Sequence, residues 1–345
     1  MSANWHQKLI SFGLEEKDGS LVFPGEVTAS DVLCTLSSDT IVQVSGDDAE
    51  AFLHTQFSND IRTLEEPGSQ LSTWSSLKGR VIVLFRVIRI DGGYLIKLPA
   101  ALREPVLKRL QMLARLPVDK DVFVMPKVEV EPREDLIAIG VSGLSAEKSL
   151  TDAGGTVGQH PDETTVLSDA WITRVRGELP RFEVIGTVDK VAEIWSACMQ
   201  GCEMVDESAW RLQNIDAGIP SVDEKTTEAF VLQMLNLHRI DGVSFTKGCF
   251  PGQEVVARMQ YLGKLKRQMF RLSYSDDVVP QSGSEVFKAG GGSAVGKVVD
   301  AVGESACRLL AVVAIDATEE PLFLDKEGKQ ALQLLELPYS LAPAE

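Results

Sequence analysis

The chain has 345 residues, of which 44% are hydrophobic and 24% charged, and its formal net charge is −16. That length exceeds what one hydrophobic core usually serves, so two or three domains are expected, and the ordinary globular composition excludes a long disordered tract. The acidity excludes a protein that holds nucleic acid through its general surface, because phosphate binding draws on clustered Lys and Arg.

Residues 1–30 are polar and rich in turn residues, with Gly13, Gly19, Pro24 and Gly25, and are expected to wrap the surface. The start, Met1-Ser2-Ala3-Asn4-Trp5-His6, lacks a charged-then-apolar leader, and no apolar run reaches the ~18 residues of a membrane span. Five cysteines, at 34, 198, 202, 249 and 307, are odd in number and irregular in spacing, which fits neither a disulfide framework nor a zinc site. A reducing cytoplasm is the expected compartment.

The first strand is expected over 40–44. A helix then starts at Ser45-Gly46-Asp47-Asp48 and buries Ala49, Phe52, Leu53, Gln56 and Phe57 at helical spacing. Strands follow over 70–77, 80–90 and 94–98, the last two separated by an Asp91-Gly92-Gly93 turn. Val106, Leu107, Leu110, Leu113 and Ala114 mark a helix, and 122–125 another strand. This order reads as an α+β sheet domain without a glycine-rich nucleotide fingerprint. Strands over 136–141, 170–175 and 181–185, with helices over 145–153 and 187–199, make a second α+β unit. A helix over 208–218 stops at Gly218-Ile219-Pro220. Residues 221–250 are irregular, and a connection of that length inside a compact protein points to function. Beyond them, β runs over 268–274, 285–288, 294–299 and 307–314 read as a barrel or sandwich of about 80 residues.

That irregular stretch leads into Cys249. Pro251 suits a first helical position, and Glu254 lies four residues before Arg258, on one helical face. A thiol near a helix start, with Lys247 close in sequence, is favoured as the thiolate, the form that attacks and that binds metal. The other reading of Cys249 is a small buried residue at a loop-to-helix junction. Cys198 and Cys202 read as buried core thiols. Residues 247–271 hold Lys247, Arg258, Lys264, Lys266, Arg267 and Arg271 against the single acid Glu254. Such a stretch is either a solvated basic face or a docking patch for an anion or an acidic partner. None of the four histidines has metal-site spacing, and His238 is either structural or a base near Cys249.

The run K-G-C-F-P-G-Q-E-V-V-A-R over 247–258 resembles the K-G-C-[aromatic]-x-G-Q-E-x-x-x-R signature of the YgfZ-type folate-binding proteins, relatives of the glycine-cleavage aminomethyltransferase. W-R-L-Q-N-I-D-A-G-I-P over 210–220, F-L-H-T-Q-F-S-N-D-I over 52–61 and L-P-Y-S-L over 337–341 extend the likeness to most of the chain. The resemblance implies three domains in a ring around a central folate pocket. These would be an α+β folate-binding domain over 31–128 completed by 204–260, a small α+β domain over 130–203, and a C-terminal β-barrel over 262–345.

It further implies tetrahydrofolate or another folate as cofactor, with Trp210 stacking on the pterin, Glu178 as the carboxylate, and Gln253 and Glu254 nearby. The implied function is assembly or repair of iron–sulfur clusters in client enzymes, including tRNA-modifying methylthiotransferases. Cys249 would be the working thiol, tuned by Lys247 and Arg258, and a transient cluster ligand at most, since one cysteine is far short of the usual four. The partners implied are folate and client enzymes, with tRNA reached only indirectly and no membrane. The alternative is a folate-dependent one-carbon transferase or demethylase. Against it, the run that corresponds to the transferases' pair of aspartates is L-K-G-R-V-I-V-L over 77–84, where apolar residues occupy the place of the carboxylates, which removes the obvious base or electrostatic anchor.

Overall fold

The structure, a computed structural model, describes residues 3–17, 20–117, 125–275, 279–303 and 307–341. It divides into two compact units. The first comprises Met1–His54, Ile61–Leu71 and Phe85–Trp210, and the second Thr55–Asp60, Ser72–Leu84 and Arg211–Glu345.

The first unit is built on a six-stranded sheet in the order Thr164–Leu167, Ala170–Arg174, Arg181–Thr187, Leu136–Ser142, Val32–Thr35 and Glu203–Met204. Leu136–Ser142 is buried at every position, and its residues divide by alternation between two cores, as the two-residue period of a strand requires. Ile137, Ile139 and Val141 face a layer that includes Trp5, Leu9, Leu150, Val191 and Trp195, supplied by the helices Ala3–Ser11, Ala146–Asp152 and Val188–Cys198. Leu136 and Ala138 face the opposite core, which also holds Ile41, Ile88, Ile90, Leu95 and Trp210. Those four aliphatic residues come from a second sheet, ordered Gly68–Ser75, Val81–Ile90, Gly93–Pro99, Asp39–Ser45 and Glu129–Pro132. The first two of these strands run from one unit into the other.

The N-terminal residues do more than wrap the surface. Trp5 and Leu9, one helical turn apart, are 1% and 0% exposed, because polar neighbours leave them as the single apolar stripe of a short amphipathic helix. Trp5 meets Trp195 edge to face at 5.4 Å, and its Nε1 donates to Thr35 Oγ1 at 3.1 Å. Of the strand expected over 122–125, residues 122–124 lie outside the described residues and Met125 is not in a strand.

The second unit contains a closed six-stranded barrel: Arg267–Tyr274, Cys307–Ala314, Gly296–Val302, Glu285–Lys288, Leu322–Phe323 and Ala331–Leu335. Arg271 to Tyr274 pair with Leu335 to Leu332, which closes the ring and removes the open edges a flat sheet would expose. Leu272, Val286, Val298, Leu309, Ala311 and Leu322 fill it. The irregular 221–250 stretch is anchored by Phe230, Leu232, Leu235, Leu237 and Ile240, all nearly inaccessible. Two sequence landmarks meet here. Tyr339 donates its hydroxyl to Gly218 O at 2.8 Å, and Gly218, at φ +66°, must stay bare because a Cβ would lie 2.6 Å from the tyrosine ring. Among the described residues no helix is long and apolar enough to cross a membrane.

Candidate functional site

Cys249 owes its position to the residues two before it and one after. Lys247 is buried, 5% exposed, with its ammonium donating to Phe57 O at 2.5 Å and lying 4.9 Å from the Phe250 ring centroid. Phe250 is itself buried. With both anchors turned inward, Gly248 and Cys249 are left exposed between them. The other four cysteines are buried. Burial pushes the Cys198 thiol up to about 12, Cys202 and Cys307 up to about 11, and Cys34 upward as well. Burial therefore closes thiolate chemistry at neutral pH to these four, and Cys249 is the exposed thiol.

The helix expected to begin at Pro251 begins at Gln253 and runs to Tyr261. Gly252 stands before it with φ +80°, a left-handed conformation that a proline at the first helical position would not have required. Contact with the turn between the strands Gly68–Ser75 and Val81–Ile90 explains the glycine. A Cβ on Gly252 would lie 2.5 Å from Ser76 O and 2.6 Å from Gly79 Cα, and one on Gly79 would lie 2.9 Å from Val255 Cβ. Two bare backbones thus let the hairpin turn seat on the helix start. Gly252→Ala is expected to destabilise by about 1–3 kcal/mol through backbone strain and displacement, read from the urea midpoint, and to change the alkylation rate of Cys249. An unchanged midpoint would refute this account of the junction.

Glu254 and Arg258 are both exposed, and no ion pair joins them; Gln253 is half-buried. These residues, with Lys247 and Cys249, belong to the second unit, whereas Trp210 and Glu178 belong to the first. Trp210 is 3% exposed. The Arg181 guanidinium lies 4.2 Å from its ring centroid, and a Cβ on Gly140 would sit 2.6 Å from its ring atoms. Arg181, 1% exposed, donates to Arg176 O at 2.8 Å. Glu178 is exposed on that loop and makes no ion pair or hydrogen bond among the described residues. In the apolar run over 81–84, Val81 and Val83 are fully buried.

His238 is held low, at about 4, by burial and by the charge of Arg239. In the unfolded chain a histidine titrates near 6.5, so between these values the unfolded state takes up a proton that the folded state refuses. Stability should fall as pH drops from about 6.5 to about 4. His238→Gln should flatten that slope in a melting-temperature profile, and parallel profiles would refute it. A neutral imidazole of this kind is a structural residue first.

Sequence reasoning missed a buried charge cluster in the first unit. Glu183 lies 3.1 Å from Lys97 Nζ and 3.4 Å from Arg86 Nε. Lys97 also meets Asp39 at 2.5 Å, and Arg86 meets Asp162 at 2.5 Å. The signal was present in R-F-E-V-I-G-T over 181–187, where a glutamate stands among the apolar residues of a buried strand. Among the described residues no cluster of three or more His, Cys, Asp or Glu could hold a metal ion.

No family model matches the chain. Over 319 residues it is 30% identical to the tRNA-modifying protein YgfZ of Klebsiella pneumoniae (strain 342), covering 90% of this chain and 94% of that one. The chain belongs to the YgfZ family. The tRNA-modifying protein YgfZ of Colwellia psychrerythraea is 29% identical over 316 residues, covering 90% of this chain and 93% of that one. The fold of this YgfZ-family chain is that of the glycine cleavage system aminomethyltransferase T from Bartonella henselae. The two superpose with a TM-score of 0.70 over 98% of this chain and 97% of the other, at 15% identity.

Proposed function

We propose that this chain binds a reduced folate and supports assembly or repair of iron–sulfur clusters in client enzymes, tRNA-modifying methylthiotransferases among them. Cys249 is the working thiol. The observation that carries this reading is the contrast between Cys249, exposed by its two buried neighbours, and the four cysteines that burial silences. The name carried by its relatives, tRNA-modifying protein, supports the link to tRNA, which the net charge of −16 makes indirect. The cluster is cargo here. One thiolate can complete a coordination sphere that a client mostly supplies, but cannot hold a cluster alone.

The residues meet a folate in part. Glu178 has both carboxylate oxygens available to the paired N–H donors of an aminopyrimidine edge. Trp210 does not fit a stacked pterin, because Arg181 and Gly140 already cover it. The folate is accordingly placed on Glu178 and not stacked on Trp210, and Trp210→Ala is a core-cavity substitution first. We further propose the domain partition given by the resemblance, with 204–260 completing the first domain.

The test is calorimetric titration with tetrahydrofolate under anaerobic conditions. Wild type and Cys249→Ala should bind equally, and Glu178→Gln about tenfold more weakly, the loss of roughly 1.4 kcal/mol. Absence of binding to wild type would remove the folate from the proposal. Aminomethyl transfer is the less favoured activity, since Val81 and Val83 are buried side chains without acid–base capacity.

A further inference from the structure

Around Cys249 the second unit presents an unusual combination of side chains. Leu77 is 81% exposed, Tyr261 69% and Leu262 86%. Among the described residues, the only other large apolar side chain exposed to that degree is Leu144. Leu77 sits on the hairpin turn that seats on Gly252, three residues after Cys249. Tyr261 and Leu262 close the same helix, about 13 Å along its axis, and Arg258 lies one turn before Leu262 on the same face. Lys78, Arg258, Lys264, Lys266 and Arg267 are exposed and meet no carboxylate among the described residues. Glu254 is the one acid on the segment.

A solvated basic face explains the cations and leaves the leucines unexplained. Exposed apolar side chains rimmed by charge are the anatomy of a protein–protein interface, with an apolar centre that excludes water and a charged rim that steers and orients. A nucleic acid would use the cations and stack on Tyr261, but two aliphatic leucines offer a base no stacking surface. The unpaired positive charge, on a chain that is otherwise strongly acidic, selects a partner whose own face is acidic.

We propose that the strip from Leu77 through Cys249 to Arg267 is the docking surface for a client protein that presents an apolar side chain within an acidic face. Docking sets the client's reacting group against Cys249. This deepens the reading of Cys249 as a thiol that serves protein clients and rests on it.

The test uses the full chain in three forms: wild type, Leu77→Ser with Leu262→Ser, and Lys264→Glu with Lys266→Glu. Fluorescence anisotropy is measured with a labelled peptide of alternating glutamate and leucine, with its glutamate–serine counterpart, and with bulk tRNA. Wild type should bind the leucine peptide at least about tenfold more tightly than the serine peptide, and both variants should lose that preference. Equal affinity for the two peptides, or no binding to either, overturns the proposal. Tight tRNA binding that falls with the charge reversal and survives the leucine changes overturns it in favour of an RNA surface. In a host lacking its own copy, the charge-reversed chain should lower cluster-dependent tRNA nucleosides as far as Cys249→Ala does, with unchanged folding and tetrahydrofolate affinity. Full activity of the charge-reversed chain beside an inactive Cys249→Ala sinks the docking surface and leaves the thiol's role standing. Full activity of Cys249→Ala sinks that role and the docking surface with it.

Discussion

Cys249→Ala, introduced in place of the wild-type chain, is expected to abolish its contribution to cluster-dependent tRNA modification while leaving unfolding free energy within about 0.5 kcal/mol of wild type. The small stability effect follows from geometry. Cys249 is exposed and its sulfur makes no hydrogen bond among the described residues, so truncation to alanine opens no cavity and orphans no polar group. The loop is held by Lys247 and Phe250, which the substitution does not touch. The large functional effect follows from chemistry: the remaining thiols are buried with raised pKa values, so none can substitute. The measurements are nucleoside analysis of tRNA from a host lacking its own copy, and urea unfolding of the purified variant. A stable Cys249→Ala chain with wild-type modification levels would remove the thiol from the function.

The contrast between those five cysteines also shows where sequence reading stops. Four of the six barrel strands carry enough apolar residues to be recognised. The other two escape, because Leu322–Phe323 has only two residues and Ala331–Leu335 has one side chain facing the core, Leu332. The helix Gln253–Tyr261 is legible, but its start is not, since nothing local reveals that Gly252 lies against Ser76 and Gly79. At the site, composition suggests that lysine stays outside and free cysteine inside. Here the order is reversed, because the Lys247 ammonium finds the Phe57 carbonyl, a partner 190 residues away in sequence. Trp210 behaves likewise. Its indole is closed by Arg181, 29 residues upstream, and no motif in the 210–220 segment announces that. Signatures locate the residues, whereas long-range contacts decide which of them face solvent.

The largest stability effect is expected from Arg86→Met, at about 3–5 kcal/mol. Arg86 is 4% exposed and shares a buried cluster in which two cations, Arg86 and Lys97, meet three carboxylates, Asp39, Asp162 and Glu183. It also donates to Ser69 Oγ at 2.9 Å. Burial opposes ionisation of Glu183, but Lys97 and Arg86 outweigh it and hold the carboxyl below its usual range. The Arg86 contact is electrostatic, since Nε lies 3.4 Å from Oε2 without hydrogen-bond alignment. Methionine fills similar space and removes the charge, leaving Lys97 with Asp39 and Glu183 and Asp162 without its cation. Glu183→Gln alone should cost less, because each cation keeps one carboxylate, Asp39 for Lys97 and Asp162 for Arg86. The double variant should therefore be more stable than the sum of the single losses predicts, by at least about 1 kcal/mol, the coupling expected of groups in direct contact. The pH dependence has a definite sign. Glu183 stabilises the wild type above the unfolded carboxyl pKa near 4.3, and that contribution is lost as pH falls through its lower folded value. With Arg86 gone the folded value rises, so the variant's deficit should narrow as pH is lowered from 7 toward 4. Urea unfolding of the four proteins across that range measures both effects. Additive losses within about 0.5 kcal/mol, or a deficit independent of pH, would show that Arg86 acts through packing alone.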